Sequence, residues 1–224
     1  MEFTLLWATL TAVAAAWLGL RLWNDRLPER ASDRLISATL SGLVVGRLTA
    51  MISQGVNPLT NPADIIIVRG GVSTPAAAAT FILVLVWSTR RTPSAVDAMS
   101  PAILLGLAGW HAGCLWRGAC LGTPSDLPWA WGLPGSAVTR HPVELYAAVG
   151  LALAAWAVSS LSWRPWLKAG AALIAASGIR LLTDPMRPSL AEGPDWWYLA
   201  GVVVGITAIV ISPSLRRPQE TAPT

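Results

Sequence analysis

Residues 109–146 read GWHAGCLWRGACLGTPSDLPWAWGLPGSAVTRHPVELY. The stretch begins inside one apolar run, opens into a connection rich in Gly and Pro, and closes on Arg140-His141-Pro142, where the next apolar run starts. Both histidines of the chain lie in it. Long apolar runs joined by connections that hold the reactive side chains are the pattern of helices that cross a bilayer, where every backbone polar group is satisfied within the helix.

Working outward, the whole chain agrees. Of its 224 residues 54% are hydrophobic and 12% charged, with a mean hydropathy of +0.53, whereas a soluble domain is roughly a quarter charged. The apolar runs are long, numerous and without a polar face, so a soluble bundle would leave much apolar surface in water. The predicted fold class is an all-α integral membrane protein with about seven transmembrane helices, at 3–20, 35–52, 72–87, 99–116, 143–161, 169–182 and 196–211. Residues 1–212 read as a single transmembrane helical domain and 213–224 as a cytoplasmic polar tail. The first run follows an acidic Met1-Glu2 and lacks the positive leader of a signal peptide, so it reads as a retained span.

The net charge of +4 and pI near 9.8 do not point to nucleic acid, because the basic residues sit in the connections between apolar runs. They report topology instead. Arg21, Arg26, Arg30, Arg34, Arg90, Arg91, Arg164, Lys168, Arg216 and Arg217 fall on one side of the predicted spans, and only Arg69, Arg117, Arg140 and Arg187 on the other. The richer side is cytoplasmic, which puts the N-terminus out, the C-terminus in, and the 122–142 connection outside. Trp23, Trp87, Trp116, Trp163, Trp166, Trp196 and Trp197 stand near span ends, where an amphipathic ring suits the headgroup layer.

The outer half then collects Arg47, Arg69, His111, Arg117, Arg140, His141, Arg180, Asp184 and Arg187. At headgroup depth, fixed guanidinium forks suit a phosphate diester, so the implied partner is an anionic phospholipid. Arg47 lies inside a span, where a charge costs at least about 2.5 kcal/mol; it either has a partner or a function there, or snorkels to the interface. Gly70-Gly71 allows a bend, or a helix start whose free amides face an anion. Arg180 and Asp184 are spaced to share a helix face and pair. His111 is the titratable residue of the fourth span: either a base working near neutral pH, or a neutral imidazole bonded to a carbonyl. Cys114 and Cys120, six apart, fall on different faces of a helix, so both are expected to be small packing residues; a bridge would need the helix to break between them. Two histidines and scattered carboxylates offer no metal-ligand spacing.

Four blocks, GLVVGRL (42–48), NPADIIIVRGGVS (61–73), the organising stretch with GACLGTPSDLPWAWGLPGSAVTRHPVELY (118–146), and GIRLLTDPMR (178–187), resemble the prolipoprotein diacylglyceryl transferases. These are bacterial inner-membrane enzymes that move a diacylglyceryl group from phosphatidylglycerol to the lipobox cysteine thiol of a prolipoprotein and release glycerol phosphate. The resemblance implies seven spans and no cofactor. Arg180, Arg140 and Arg117 would hold the phosphate, and His111 or Asp184 would take the thiol proton. Arg47, Gly70, Gly71, His141, Tyr146 and Arg187 would line the substrate site. The chain departs from the family pattern with Pro75 in place of a histidine, His111 in place of the signature arginine, Arg117 for an asparagine, Ala119 for a glutamate, and Asp184 for a glutamate. Two readings follow: His111 and Arg117 take over roles assigned elsewhere, or the chain is a phospholipid-binding membrane protein of the same fold without transfer chemistry.

Overall fold

The computed structural model describes residues 4–66, 71–92, 94–114, 120–132, 135–162, 164–187 and 196–211. Among them are eight α-helices: α1 (Thr4–Leu22), α2 (Ala31–Ser53), α3 (Ala63–Ile66), α4 (Thr74–Thr89), α5 (Ser94–Gly113), α6 (Val143–Ser160), α7 (Leu167–Thr183) and α8 (Trp196–Ile211). Each of the seven apolar runs carries a helix, and α3 is a single turn inside the Asn/Pro-rich connection. The α5 helix stops at Gly113, short of the expected end at residue 116. By length and composition α2 and α6 are long and apolar enough to cross a membrane; Trp7–Leu22, Thr74–Thr89 and Trp196–Ile211 are shorter apolar helices.

The chain divides into two compact units, residues 26–96 and residues 1–25 with 97–224. In the smaller unit α2 packs on α4 through Gly42 and Gly46. A methyl on Gly42 would stand 2.7 Å from the Ala77 carbonyl, and one on Gly46 2.8 Å from the Ala77 Cβ. Small residues let two helix backbones approach this closely. Arg47, 4% exposed, donates from Nε to the Asp64 carbonyl at 2.8 Å and from Nη1 to the Gly71 carbonyl at 2.8 Å. Of the two readings of Arg47, the buried, partnered one is what the structure has: the guanidinium ties down the connection after α2 instead of reaching outward. Gly71 has φ 77°, a left-handed conformation glycine adopts without strain.

In the larger unit α1 lies on α5, where a methyl on Gly106 would meet the Ala16 Cβ at 3.1 Å. Leu104 and Ala108 of α5, Leu151, Ala155 and Val158 of α6, and Ala172 of α7 form a buried core. The α7 helix meets α8 at Gly170, whose Cβ would stand 2.6 Å from the Gly205 carbonyl. Along α6 the small Ala147 and Ala155 are fully buried while Leu153 and Trp156 are 67% and 70% exposed. Small residues within and large apolar ones outside is a pattern suited to an apolar solvent, not to water.

A buried carboxylate sets the start of α7. Trp166, at its N-cap, has φ 67° and offers no side-chain cap of its own. Asp97 of α5, 1% exposed, accepts the Trp166 N–H at 2.7 Å and the Ala169 N–H at 2.8 Å. These are amides that a helix start leaves unpaired. Nearby, Lys168 Nζ donates to the Ser159 carbonyl near the end of α6 at 2.8 Å. Substituting Asp97→Ala removes both acceptor oxygens and is expected to destabilise the protein by about 1–3 kcal/mol. A lowered thermal midpoint in detergent checks it; an unchanged midpoint would show that α7 does not depend on this cap.

Candidate active site

Three helix ends meet in the larger unit. His111 is in the last turn of α5, Glu144 in the first turn of α6, and Arg180 in the last turn of α7. Arg187 follows a 3-10 turn at Asp184–Met186. The sign of each group agrees with the helix dipole, which favours an anion at an N-terminus and cations at C-termini. Glu144, 7% exposed, is the hub. One carboxylate oxygen, Oε2, faces His111 Nδ1, and the other, Oε1, accepts from Arg187 Nη2, both at short range. Arg180 Nη1 stands 3.9 Å from Oε1.

Two guanidinium groups against one carboxylate leave this contact group net positive when His111 is neutral. Arg180 is aimed by α8: its Nε donates to the Tyr198 hydroxyl at 3.3 Å, and its guanidinium carbon lies 5.6 Å from the Tyr198 ring centroid. Arg180 Nη1 and Arg187 Nε are buried without a hydrogen-bond partner among the described residues. Unpaired buried donors on charged groups are costly, so an acceptor that reached them would be stabilised. Burial, and after it the like charge of Arg180, draw the Arg187 guanidinium below its ordinary value, with Glu144 and Asp184 acting the other way. An arginine starts so high that it stays charged throughout.

The 122–142 connection is seated against this cluster. Gly122 N–H donates to the His141 carbonyl at 2.7 Å, and Thr123 N–H to the carbonyl of Met186, beside Arg187, at 2.7 Å. Strands β1 (Trp131–Gly132) and β2 (Thr139–Arg140) pair antiparallel, Trp131 opposite Arg140. Arg140 Nη1 donates to the Gly122 carbonyl at 3.2 Å. The Tyr146 hydroxyl accepts from Trp129 Nε1 at 2.9 Å and lies 3.4 Å from His141 Nδ1. Arg140, His141 and Tyr146 therefore hold the connection onto the start of α6.

Cys114 and Cys120 form a disulfide, with Cα atoms 5.9 Å apart, which corrects the expectation of two packing thiols. The α-helix ends at Gly113, before Cys114, so the two cysteines do not stand on one continuous helix with α5. The expected pairing of Arg180 with Asp184 is also corrected: the ion pair Arg180 makes is with Glu144, because its fork is turned across to α6 and its Nε is held by Tyr198. Asp184 acts at longer range, through its charge, on Arg187. The structure thus brings His111, Arg180 and Arg187 together, and places Arg140 and His141 in the adjoining connection with Tyr146 at the start of α6. Arg47 and Gly71 belong to the other unit. Gly70 and Arg117 lie outside the described residues. Sequence reasoning missed Glu144 and Tyr198. The signal for Glu144 was present: it is the one charge in the apolar run 143–161, where an ionisable residue is a functional candidate by default.

Fold and site define a mostly helical protein with large apolar side chains on its surface and a buried, net-cationic cluster at three helix ends. The chain belongs to the prolipoprotein diacylglyceryl transferase family, whose profile matches residues 3–212. Among curated relatives, a phosphatidylglycerol–prolipoprotein diacylglyceryl transferase of Polynucleobacter necessarius is 29% identical over 167 residues, 69% of this chain and 63% of the relative. One of Azoarcus is 32% identical over 146 residues, 61% of this chain and 54% of the relative. One of Cupriavidus pinatubonensis is 26% identical over 223 residues, 87% and 80% of the two chains. The chain thus spans 63% and 54% of the length of the first two.

Proposed function

We propose that the chain is a phosphatidylglycerol-dependent diacylglyceryl transferase of the bacterial plasma membrane. The observation that carries this reading is the convergence of His111, Glu144, Arg180 and Arg187, with a buried donor on each arginine left unpaired among the described residues. A surplus of one positive charge in this contact group matches the single negative charge of a phosphate diester. The relatives' names support a phosphatidylglycerol donor and a prolipoprotein acceptor, and the nucleophile of this reading is the lipobox cysteine thiol. Seven crossings, an outer N-terminus and an inner C-terminus fit the charge bias of the connections and put the site at the outer headgroup layer.

In the transfer, the acceptor thiolate attacks the glyceryl carbon that bears the phosphate. The carbon–oxygen bond breaks, and its electron pair leaves on glycerol phosphate. Negative charge grows on the leaving phosphate, so fixed guanidinium groups bind the transition state better than the resting lipid. Arg180 and Arg187 are placed for this. The test is complementation: the chain is expressed in a bacterium depleted of its own transferase, and a reporter prolipoprotein is assayed for the diacylglyceryl thioether. The expected result is modification. A folded, membrane-inserted chain that modifies nothing would favour lipid binding without transfer.

A further inference from the structure

We infer that Glu144 is a positioning residue: it holds the proton of His111 on Nδ1 and so presents Nε2 as the base that deprotonates the acceptor thiol. The inference rests on the transferase reading and adds a residue and a tautomer to it.

The argument starts from what Glu144 can do. Its Oε1 is engaged by Arg187 and approached by Arg180, and its Oε2 faces His111 Nδ1. A carboxylate beside two guanidinium groups is an acceptor only. The nitrogen facing it must then be a donor, so the His111 proton sits on Nδ1. In a neutral imidazole the lone pair is then on Nε2, and among the described residues His111 makes no further bond that would occupy it. The three-group order of nucleophile, imidazole and orienting carboxylate is the arrangement by which a base is kept in its working tautomer. The groups facing the imidazole are Glu144 from α6 and, behind it, Arg180 of α7 and Arg187 beyond α7. The α1 helix packs on another face of α5, where Ala8 and Thr11 stand beside Gly113, neither of them titratable.

Glu144 has a second consequence. After the thiol S–H bond breaks and its proton reaches Nε2, the imidazolium is paired with a carboxylate already in place. The sulfur electron pair forms the S–C bond, the C–O bond breaks, and the leaving phosphate takes that electron pair against Arg180 and Arg187. One carboxylate thus connects the proton acceptor to the cations that receive the leaving group. Neither charge has to develop alone in a buried site, where an unpaired ion is expensive.

The experiment is the pH dependence of transfer by the full-length chain in phosphatidylglycerol-containing vesicles, with a lipobox peptide as acceptor. At pH 7, Glu144→Gln and His111→Ala are each expected to lose about 100-fold in kcat, the ordinary worth of a positioned base. Raised through the acceptor thiol's own pKa, near about 8.5, the pH makes the base unnecessary. By pH 9.5 both variants should approach the wild-type rate to within about tenfold, whereas Arg187→Ala should not recover. The double variant should be no slower than the worse single one, as for groups that act as a unit. A deficit that stays constant with pH overturns the base role. Independently of turnover, 15N-histidine spectra of the wild-type chain, which has two histidines, should show His111 protonated on Nδ1 and not on Nε2. The reverse tautomer overturns the positioning role even where Glu144→Gln does not fold. A chain that transfers nothing while His111 holds the Nδ1 proton sinks the transferase reading, and the base role with it. Transfer with a pH-independent deficit sinks the base role alone.

Discussion

Replacing Arg180 by alanine is expected to lower transfer by at least about 100-fold, the usual cost of losing one fixed donor to a developing oxyanion, while the chain still inserts and folds. Arg180 is not a generic surface cation. Its Nε is held by the Tyr198 hydroxyl, its face is turned to the Tyr198 ring, and Nη1 is buried without a hydrogen-bond partner among the described residues, 3.9 Å from Glu144. A guanidinium oriented from two sides and left with a free donor costs no reorganisation when charge arrives. The effect should fall mainly on kcat, because the phosphate gains charge only as the carbon–oxygen bond breaks. Arg180→Lys keeps the charge but not the planar fork, and should recover only part of the loss. Steady-state kinetics in mixed micelles decide it: transfer by Arg180→Ala within about threefold of wild type, where loss of a working donor predicts at least about 100-fold, would remove Arg180 from the chemistry.

The helices were legible in the sequence because an apolar run long enough to be a helix in lipid admits few other structures. The cationic residues at their ends were legible for a related reason: with 12% charged residues, each charge near an apolar run stands out. What could not be read was which of them touch. The spacing of Arg180 and Asp184 reports only neighbours on one helix, whereas the partner Arg180 takes comes from α6. Spacing likewise argued against a Cys114–Cys120 bridge, because the run through residue 116 looked continuous and the end of α5 at Gly113 was hidden in it. Glu144 was not singled out in the sequence, although an acid in the first turn of a helix serves the helix dipole and can at the same time serve a site. Its double use became visible only when the ends of α5 and α7 were placed beside it.

The Gly122→Ala variant is expected to lose transfer by about 100-fold, the cost of about 1 Å of misplacement at a reacting centre, although residue 122 touches no reacting group. A Cβ there would run into the Met186 carbonyl and the Val143 side chain, and would stand 3.3 Å from the His141 Cβ. Met186 precedes Arg187 and Val143 precedes Glu144. The methyl therefore pushes on both partners of the central ion pair at once. The obstructing carbonyl is also fixed from its own side, since it accepts the Thr123 N–H at 2.7 Å. Backbone held this way cannot rotate aside as a flexible side chain would, so the strain should also cost about 1–3 kcal/mol of stability. Gly132 supplies the control from the same connection, because its nearest neighbour to a would-be Cβ is 3.7 Å away. Gly132→Ala should leave both transfer and the thermal midpoint close to wild type. Measuring the two variants side by side separates a connection that merely covers the site from one that sets its geometry. Equal activity of the two would mean that the contact of Gly122 with Met186 does not govern where Arg187 stands.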